Sequence, residues 1–485
     1  MKITELNPQE VFFYFNQISS IPHGSGNTET ITDYCVTFAA EHGFNCYRDE
    51  IGNVIIYAEG TTGCSSAEPV ILQAHLDMVC DVAEGCTKDM TKEGLTLCTD
   101  GNYVWAEDTT LGGDDGIAVA YILALLASES IQHPPIEALF TVDEEIGMLG
   151  ARGLDASKLR GKRLINIDSE IEGVLTVSCA GGVRALCEVQ LHFTEDASPE
   201  TAAYSISVGG LKGGHSGVDI HRHRSNALKI LGRLLEYISR RCMMSIGDLR
   251  GGGKENAIPK HAEALVYVNC GSETLLQHTI EEFCEILKKE LIHTEPDIVI
   301  TAERAVEKGR TTDQDSTRKL IFALMQVPDG IQTMSPDIPD MVQTSLNLGT
   351  VFMVDDTLTM SFLIRSNAAS GKQTVIQKLQ SFIDYIDGKI IFKSDYPAWE
   401  YKMISPLRDV MIETYREIYA DEPVVASIHA GLECGILAGK IENLDMISFG
   451  PNLEHVHTPD ERMDVASVER TWRYLLKVLE NLCNK

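Results

Sequence analysis

Apolar positions in the first 180 residues recur by turns with helical spacing and as short unbroken runs. PQEVFFYFNQISSI (8–21) and NTETITDYCVTFAAEHG (27–43) read as amphipathic helices. The second has Asn27 or Thr28 as its cap and Gly43 as its stop. FNCYRDEIGNVIIYAEG (44–60) reads as a hairpin turning near Gly52–Asn53. VILQAHLDMV (70–79), IEALFTV (136–142) and RLINID (163–168) are apolar on both faces, as buried strands of a parallel sheet are. GGDDGIAVAYILALLASE (112–129) opens a helix after a glycine-rich turn. Strands alternating with helices predict an α/β fold with a mixed, mostly parallel sheet flanked by helices. Functional side chains of such sheets gather beyond the carboxyl ends of the strands.

After about residue 184 the pattern changes. RALCEVQLHF (184–193), AAYSISVGGL (202–211), AEALVYVNC (262–270), DIVITAERA (297–305), LTMSFLIRS (358–366) and IIFKSDYPAW (390–399) read as strands. SNALKILGRLLEYISRR (225–241) and TIEEFCEILKKELI (279–292) read as helices. GDLRGGGKENAIP (247–259) reads as a mobile loop. From about 396 a helix–strand–helix pattern returns. The expected organisation is a discontinuous domain, 1–184 and 396–485, interrupted by an inserted α+β domain, 185–395. A chain of 485 residues accommodates that division.

Charge narrows the function classes. The formal net charge of -30 disfavours nucleic acid and anionic membrane surfaces as partners. The longest apolar stretch, 117–127, is too short to cross a bilayer, and the first residues lack a signal-peptide pattern. Thirteen cysteines without a C-x-x-C pair suggest reduced thiols and a cytoplasmic protein. Cys80, near His75, reads as a small core residue more simply than as a nucleophile.

The candidate chemistry sits at the strand ends. Glu144 and Glu145 follow one buried run, His75 and Asp77 lie on a second, and Asp168 ends a third. Adjacent carboxylates repel, and a metal ion relieves this when one binds it and the other handles protons. Taken singly, each piece has a plainer reading: an acidic surface loop, a structural His–Asp pair, or a helix cap at Asp114 or Asp115. His457 adds a second imidazole after the last strand, where a solvated loop histidine is the plainer reading. Jointly, two nitrogens and several carboxylates exceed what one tetrahedral ion needs and suit two metals.

HLDMV, GGDDG, DEEIGMLGA, NIDSE, GGHSG, NAIP and HTPDE, in this order and spacing, resemble the co-catalytic zinc peptidases that include carboxypeptidase G2. KGGHSGVDIH, IHAGLECGIL and HTPDE resemble the dipeptidases of that family. The resemblance spans nearly the whole chain. It implies hydrolysis of dipeptides, of Xaa-His type or broadly, by a hydroxide bridging two metals. Zinc is the first expectation, and cobalt and manganese also accept such ligands. It implies that Asp114 bridges, with His75 and Asp168 at one metal and Glu145 and His457 at the other. Asp115 stands where close relatives often have asparagine, so it competes with Asp114 for the bridging role. The implied catalytic residues are Glu144 as general base, Asp77 orienting His75, and His215 donating to the oxyanion. Arg365 would take the substrate's terminal carboxylate, Asn256 would lie near the substrate, and Glu433 would receive its amino group. An ion pair is the plainer reading of Arg365. The inserted domain is expected to act as a lid and to support a homodimer. Competing functions are an amidohydrolase of N-acyl amino acids or tripeptides, a metal-binding protein without activity, and a cysteine hydrolase.

Overall fold

The computed structural model describes residues 2–483 except 195, 196, 199 and 306–308. The chain forms two compact units. The first comprises Met1–Cys179, Tyr401–Ser427 and Leu432–Lys485; the second comprises Ala180–Glu400 and Ile428–Gly431.

In the first unit, β1 (Asn45–Arg48), β2 (Val54–Ala58), β3 (Val70–His75), β4 (Ile136–Thr141), β5 (Arg163–Asn166), β6 (Val174–Cys179), β7 (Val424–Ile428) and β8 (Asp445–Ser448) build one sheet. Their order is β1-β2-β4-β3-β5-β8-β6-β7. The central strands β4, β3, β5 and β8 are parallel. β2 joins β4, and β6 joins β8, in antiparallel fashion. Every residue of β3 and β4 is buried, which explains their unbroken apolar runs. Helix Gly113–Ala127 is buried on all sides from Gly116 to Leu126, so its sequence shows no polar face. Helix Glu29–Glu41 stops where Gly43 turns left-handed (φ 76°) and Phe44 N–H donates to the Ala39 carbonyl. The β1–β2 hairpin turns on Asp49, one carboxylate oxygen of which accepts from the N–H groups of Ile51, Gly52 and Asn53. No helix among the described residues is long and apolar enough to cross a membrane.

The second unit is α+β. Its main sheet runs Val299–Arg304, Thr201–Gly209, Ala262–Asn269, Met244–Gly252, Val342–Val354, Thr357–Ser366, Gly181–Gln190 and Gly388–Tyr396, with Gly330–Met334 added beside Val342–Val354. The neighbours whose register is described pair antiparallel throughout. Helices Ala227–Ser239, Glu273–Glu290, Gln314–Gln326 and Ala369–Tyr385 share one apolar core with it, through residues such as Leu231, Leu276, Leu320 and Leu379.

Two expectations change. The stretch read as a mobile loop is half strand, because Leu249 is fully buried and residues 248–251 pair with 262–265. The glycines that suggested a loop sit at a strand end instead. The thiols are not uniformly reduced: Cys64, after β2, is bonded to Cys483 at the end of helix Val465–Leu482, 419 residues away. Sequence spacing gave no sign of this pair, because only the return of the last helix brings the two together.

Candidate active site

His75 is the last residue of β3 and is buried. Its Nδ1 lies 2.9 Å from the Asp77 carbonyl and 3.5 Å from the Asp77 carboxylate. Nδ1–H therefore donates to the carbonyl rather than to the carboxylate that the sequence suggested, and Nε2 is left with a lone pair. That lone pair faces Asp114 Oδ1 at 3.0 Å. Asp114 Oδ2 faces His457 Nε2 at 3.2 Å, and the same nitrogen is 2.7 Å from Glu145 Oε1. Asp168 Oδ1 stands 4.0 Å from His75 Nε2. Ligating atoms of His75, Asp114 and Glu145 lie within 4.8 Å of one another, as do those of His75, Asp115 and Asp168.

A lone pair opposed to a carboxylate at this distance repels unless a cation or proton lies between. The local electrostatics lean the same way. Burial opposes a charge on His75, yet Asp114 and Asp77 raise its pKa well above the ordinary value. Hydrogen bonds to Asp114 and Glu145 push His457 up to about 10. Burial, then Asp114 and Asp115, raise Asp168 well above the carboxylate range. Burial is the first cause that lifts Glu144 to about 8, with Glu433, Glu145 and Asp114 adding repulsion that His75 partly offsets. Two imidazoles and several carboxylates that need positive charge fit a pair of divalent cations.

Neither aspartate of GGDDG caps the helix. Gly112 occupies the cap position in a left-handed conformation, and Asp114 and Asp115, joined by a cis peptide bond, have non-helical dihedrals. Asp115 is buried and accepts from the His75 backbone N–H at 3.2 Å. Asp114 is the one whose two oxygens face two histidines.

Three supporting carboxylates hold these groups. The Asp77 carboxylate accepts from the N–H groups of Glu144 and Glu145 and from the Ser25 hydroxyl, so it fixes the turn after β4. Burial raises Asp77, but the adjacent His75 ring and the hydrogen bonds from Glu144 and Ser25 outweigh it and keep the pKa below normal. Glu461, 2 % exposed, accepts from the N–H groups of Leu111, Gly112 and Gly113 at 2.9, 3.2 and 2.8 Å. It thus ties the segment bearing His457 to the turn bearing Asp114. It belongs to HTPDE, but nothing local marks a partner 350 residues away. Glu433 is fully buried: Gln73 and Thr141 donate to its Oε2, Oε1 has no partner among the described residues, and burial first of all lifts its pKa to about 7.

The other sequence candidates lie in the second unit. His215 sits on the short strand Gly214–His215, paired with Ala257–Ile258. Its Nδ1 accepts from the N–H groups of Gly217 and Val218, so its proton is on Nε2. Nε2 lies 3.2 Å from Arg365 Nη2, which is also a donor. Burial, then Arg365, lowers His215 to about 4, so the ring stays neutral. Arg365 is buried, donates to the Tyr396 hydroxyl, and has no partner at Nε among the described residues. It makes no ion pair among the described residues, contrary to the plainer reading. Two donor groups that converge without an acceptor define a place for an oxygen anion. Asn256 is exposed and joins this cluster through its carbonyl, which accepts from Ser216 N–H.

Residues 71–481 match Peptidase family M20/M25/M40. The chain belongs to this family. It is 36% identical over 482 residues to the cytosol non-specific dipeptidase of Escherichia coli (strain K12), with 99% of each chain covered. The crystal structure of aminoacylhistidine dipeptidase from Vibrio alginolyticus superposes with a TM-score of 0.93 at 38% identity, covering 99% of this chain and 98% of that one. Aminopeptidase PepT from Bacillus cereus shares the fold at 14% identity and a TM-score of 0.57, covering 98% and 99%. This M20/M25/M40 member is a hydrolase that acts on peptide bonds.

Proposed function

We propose that the protein is a metal-dependent dipeptidase, acting on Xaa-His dipeptides or more broadly. The observation that carries the reading is the Asp114 carboxylate held between His75 and His457, one oxygen to each. His75 and Asp168 would hold one cation, Glu145 and His457 the other, and Asp114 would bridge them; zinc is the first candidate. Divalent cations bound there would activate water and polarise a peptide carbonyl.

The side chains do the rest. Glu144 takes a proton from water at a carboxylate oxygen and gives it to the departing amine. Its pKa of about 8 without cations falls toward neutrality when positive charge enters the cage, which suits a base at physiological pH. Asp77 orients both His75 and the Glu144–Glu145 turn. His215 Nε2–H donates to the oxyanion, and Arg365 takes the substrate's terminal carboxylate, as their convergent donors support. Asn256 lies on the substrate side of that cluster. Glu433, buried and hydrogen-bonded, acts beneath the cage rather than as an open amine acceptor. Residues 185–395 serve as lid and dimerisation domain. The name of the Escherichia coli relative supports a cytoplasmic setting.

Chelation followed by stepwise return of Zn2+, Co2+ or Mn2+ tests this, with Ala-His and N-acetyl-His as paired substrates. Ala-His cleavage should vanish and return with metal, while N-acetyl-His is cleaved at least about tenfold less well. Preferred cleavage of N-acetyl-His would make the protein an amidohydrolase instead.

A further inference from the structure

The second unit contains a cleft of about 790 Å³ that has His215 and Asn256 in its wall. Five other lining side chains are cationic: Lys212, Arg224, Arg250, Lys254 and Lys260. No residue that lines the cleft is acidic. This is unexpected in a chain with 71 acidic residues against 41 lysines and arginines. The arginines are partly compensated, Arg224 by Asp219 at 3.6 Å and Arg250 by Glu263 at 3.0 Å. The ammonium groups of Lys212, Lys254 and Lys260 enter no ion pair or hydrogen bond among the described residues, and all three lysines are exposed.

The backbone leaves room for these groups. Gly213 is left-handed (φ 61°), and a Cβ there would run into the methylene stem of Lys260. A Cβ at Gly253 would meet nothing within 4 Å, so this part of the wall is open. Uncompensated positive charge around an open, glycine-lined cleft raises the local concentration of anions.

We propose that the cleft receives the acidic side chain of the substrate's C-terminal residue, giving the enzyme a preference for Xaa-Glu and Xaa-Asp dipeptides over their neutral isosteres. The inference rests on the dipeptidase reading. There His215 donates to the oxyanion and Arg365, 3.2 Å from it, holds the terminal carboxylate. His215 is common to that pair and to the wall of the cleft, which therefore adjoins the residue held between the two contacts. A second carboxylate on that side chain meets Lys254 and Lys260.

The test compares kcat/KM for Ala-Glu and Ala-Gln, which have nearly the same shape and differ by one charge. Because the lysines are solvated, the expected ratio in the wild type is about fivefold in favour of Ala-Glu. It should fall toward one in the double variant Lys254→Gln/Lys260→Gln, and in the wild type as ionic strength rises from about 0.05 to 0.5 M. Brisk turnover of both dipeptides at equal kcat/KM would overturn the inference and leave the dipeptidase reading standing. A preference for Ala-Glu that survives in the double variant would overturn the assignment to this cleft. Turnover of neither dipeptide while Ala-His is still cleaved would overturn the inference and leave the dipeptidase reading standing; loss of Ala-His cleavage as well would overturn both.

Discussion

At the scale of single residues, Asp114 and Glu461 explain how loops distant in sequence make one cage. Asp114 faces both histidines, and Glu461 gathers three N–H groups from the turn that presents it. Glu461→Gln puts an amide N–H2 where only acceptors are wanted, leaving backbone donors unsatisfied. Metal affinity measured by competition with a chromophoric chelator should fall about 10- to 100-fold. An unchanged affinity would show that Glu461 only stabilises the fold. The strand-end positions of His75, Glu144, Glu145 and Asp168 were legible because each lies at the end of a buried apolar run. Ser25 and the supporting part of Glu461 were not, since each acts through a contact far away in the chain. The part of Asp77 read from sequence was incomplete. Its carbonyl, not its carboxylate, takes the His75 proton, and its carboxylate serves the Glu144–Glu145 turn.

At the scale of elements, strands of both units were readable where their apolar run is unbroken and unreadable where it is interrupted. β3, β4 and β5 fall into the first class. Val342–Val354 falls into the second: a register shift between Leu348 and Thr350 breaks its alternation, and Gly349 lies in the middle. Met244–Gly252 was hidden by terminal glycines, and its own shift between Ile246 and Asp248 resets the alternation. In the proposed function the turn after β4 is the element on which activity would depend most, because it carries both Glu144 and Glu145, whose N–H groups the Asp77 carboxylate accepts. Asp77→Asn turns one of the acceptors for those N–H groups into a donor. The expected outcome is a kcat about 10- to 100-fold lower with bound metal retained. Loss of the metal together with activity would mean that Asp77 acts chiefly on His75.

At the scale of the whole molecule, the cage is a concentration of buried titratable groups that protons or cations relieve, so stability of the metal-free protein should depend on pH in one direction. Glu144 at about 8, and Glu433 and Glu461 at about 7, all titrate above the ordinary glutamate value of 4.5. A raised carboxylate contributes stability below its unfolded pKa and loses it as pH rises through the folded value. His457, raised to about 10, has the same sign and loses its contribution between about 6.5 and 10. Asp77 and Asp114 are lowered, so their contribution is lost only in acid. The melting temperature of chelated protein, followed by calorimetry, should therefore fall from pH 6 to pH 9, and divalent metal should raise it more at pH 8 than at pH 6. A melting temperature that climbs with pH in the chelated protein would contradict this ledger of charges. The units divide at Cys179 and Glu400, and the short return of Ile428–Gly431 to the second unit had no sequence signal. That return brings His429 to Ser345 and Asn367, at 2.8 and 3.0 Å.

The central claim is that a cation pair in this cage works with Glu144 as the proton carrier. Metal content and Ala-His turnover, measured together on wild type and on Glu144→Ala, test it most directly. The account predicts about two divalent ions per chain in both proteins, with turnover about a thousandfold lower in the variant. Full activity in Glu144→Ala, or wild-type activity that persists with no metal bound, would contradict it.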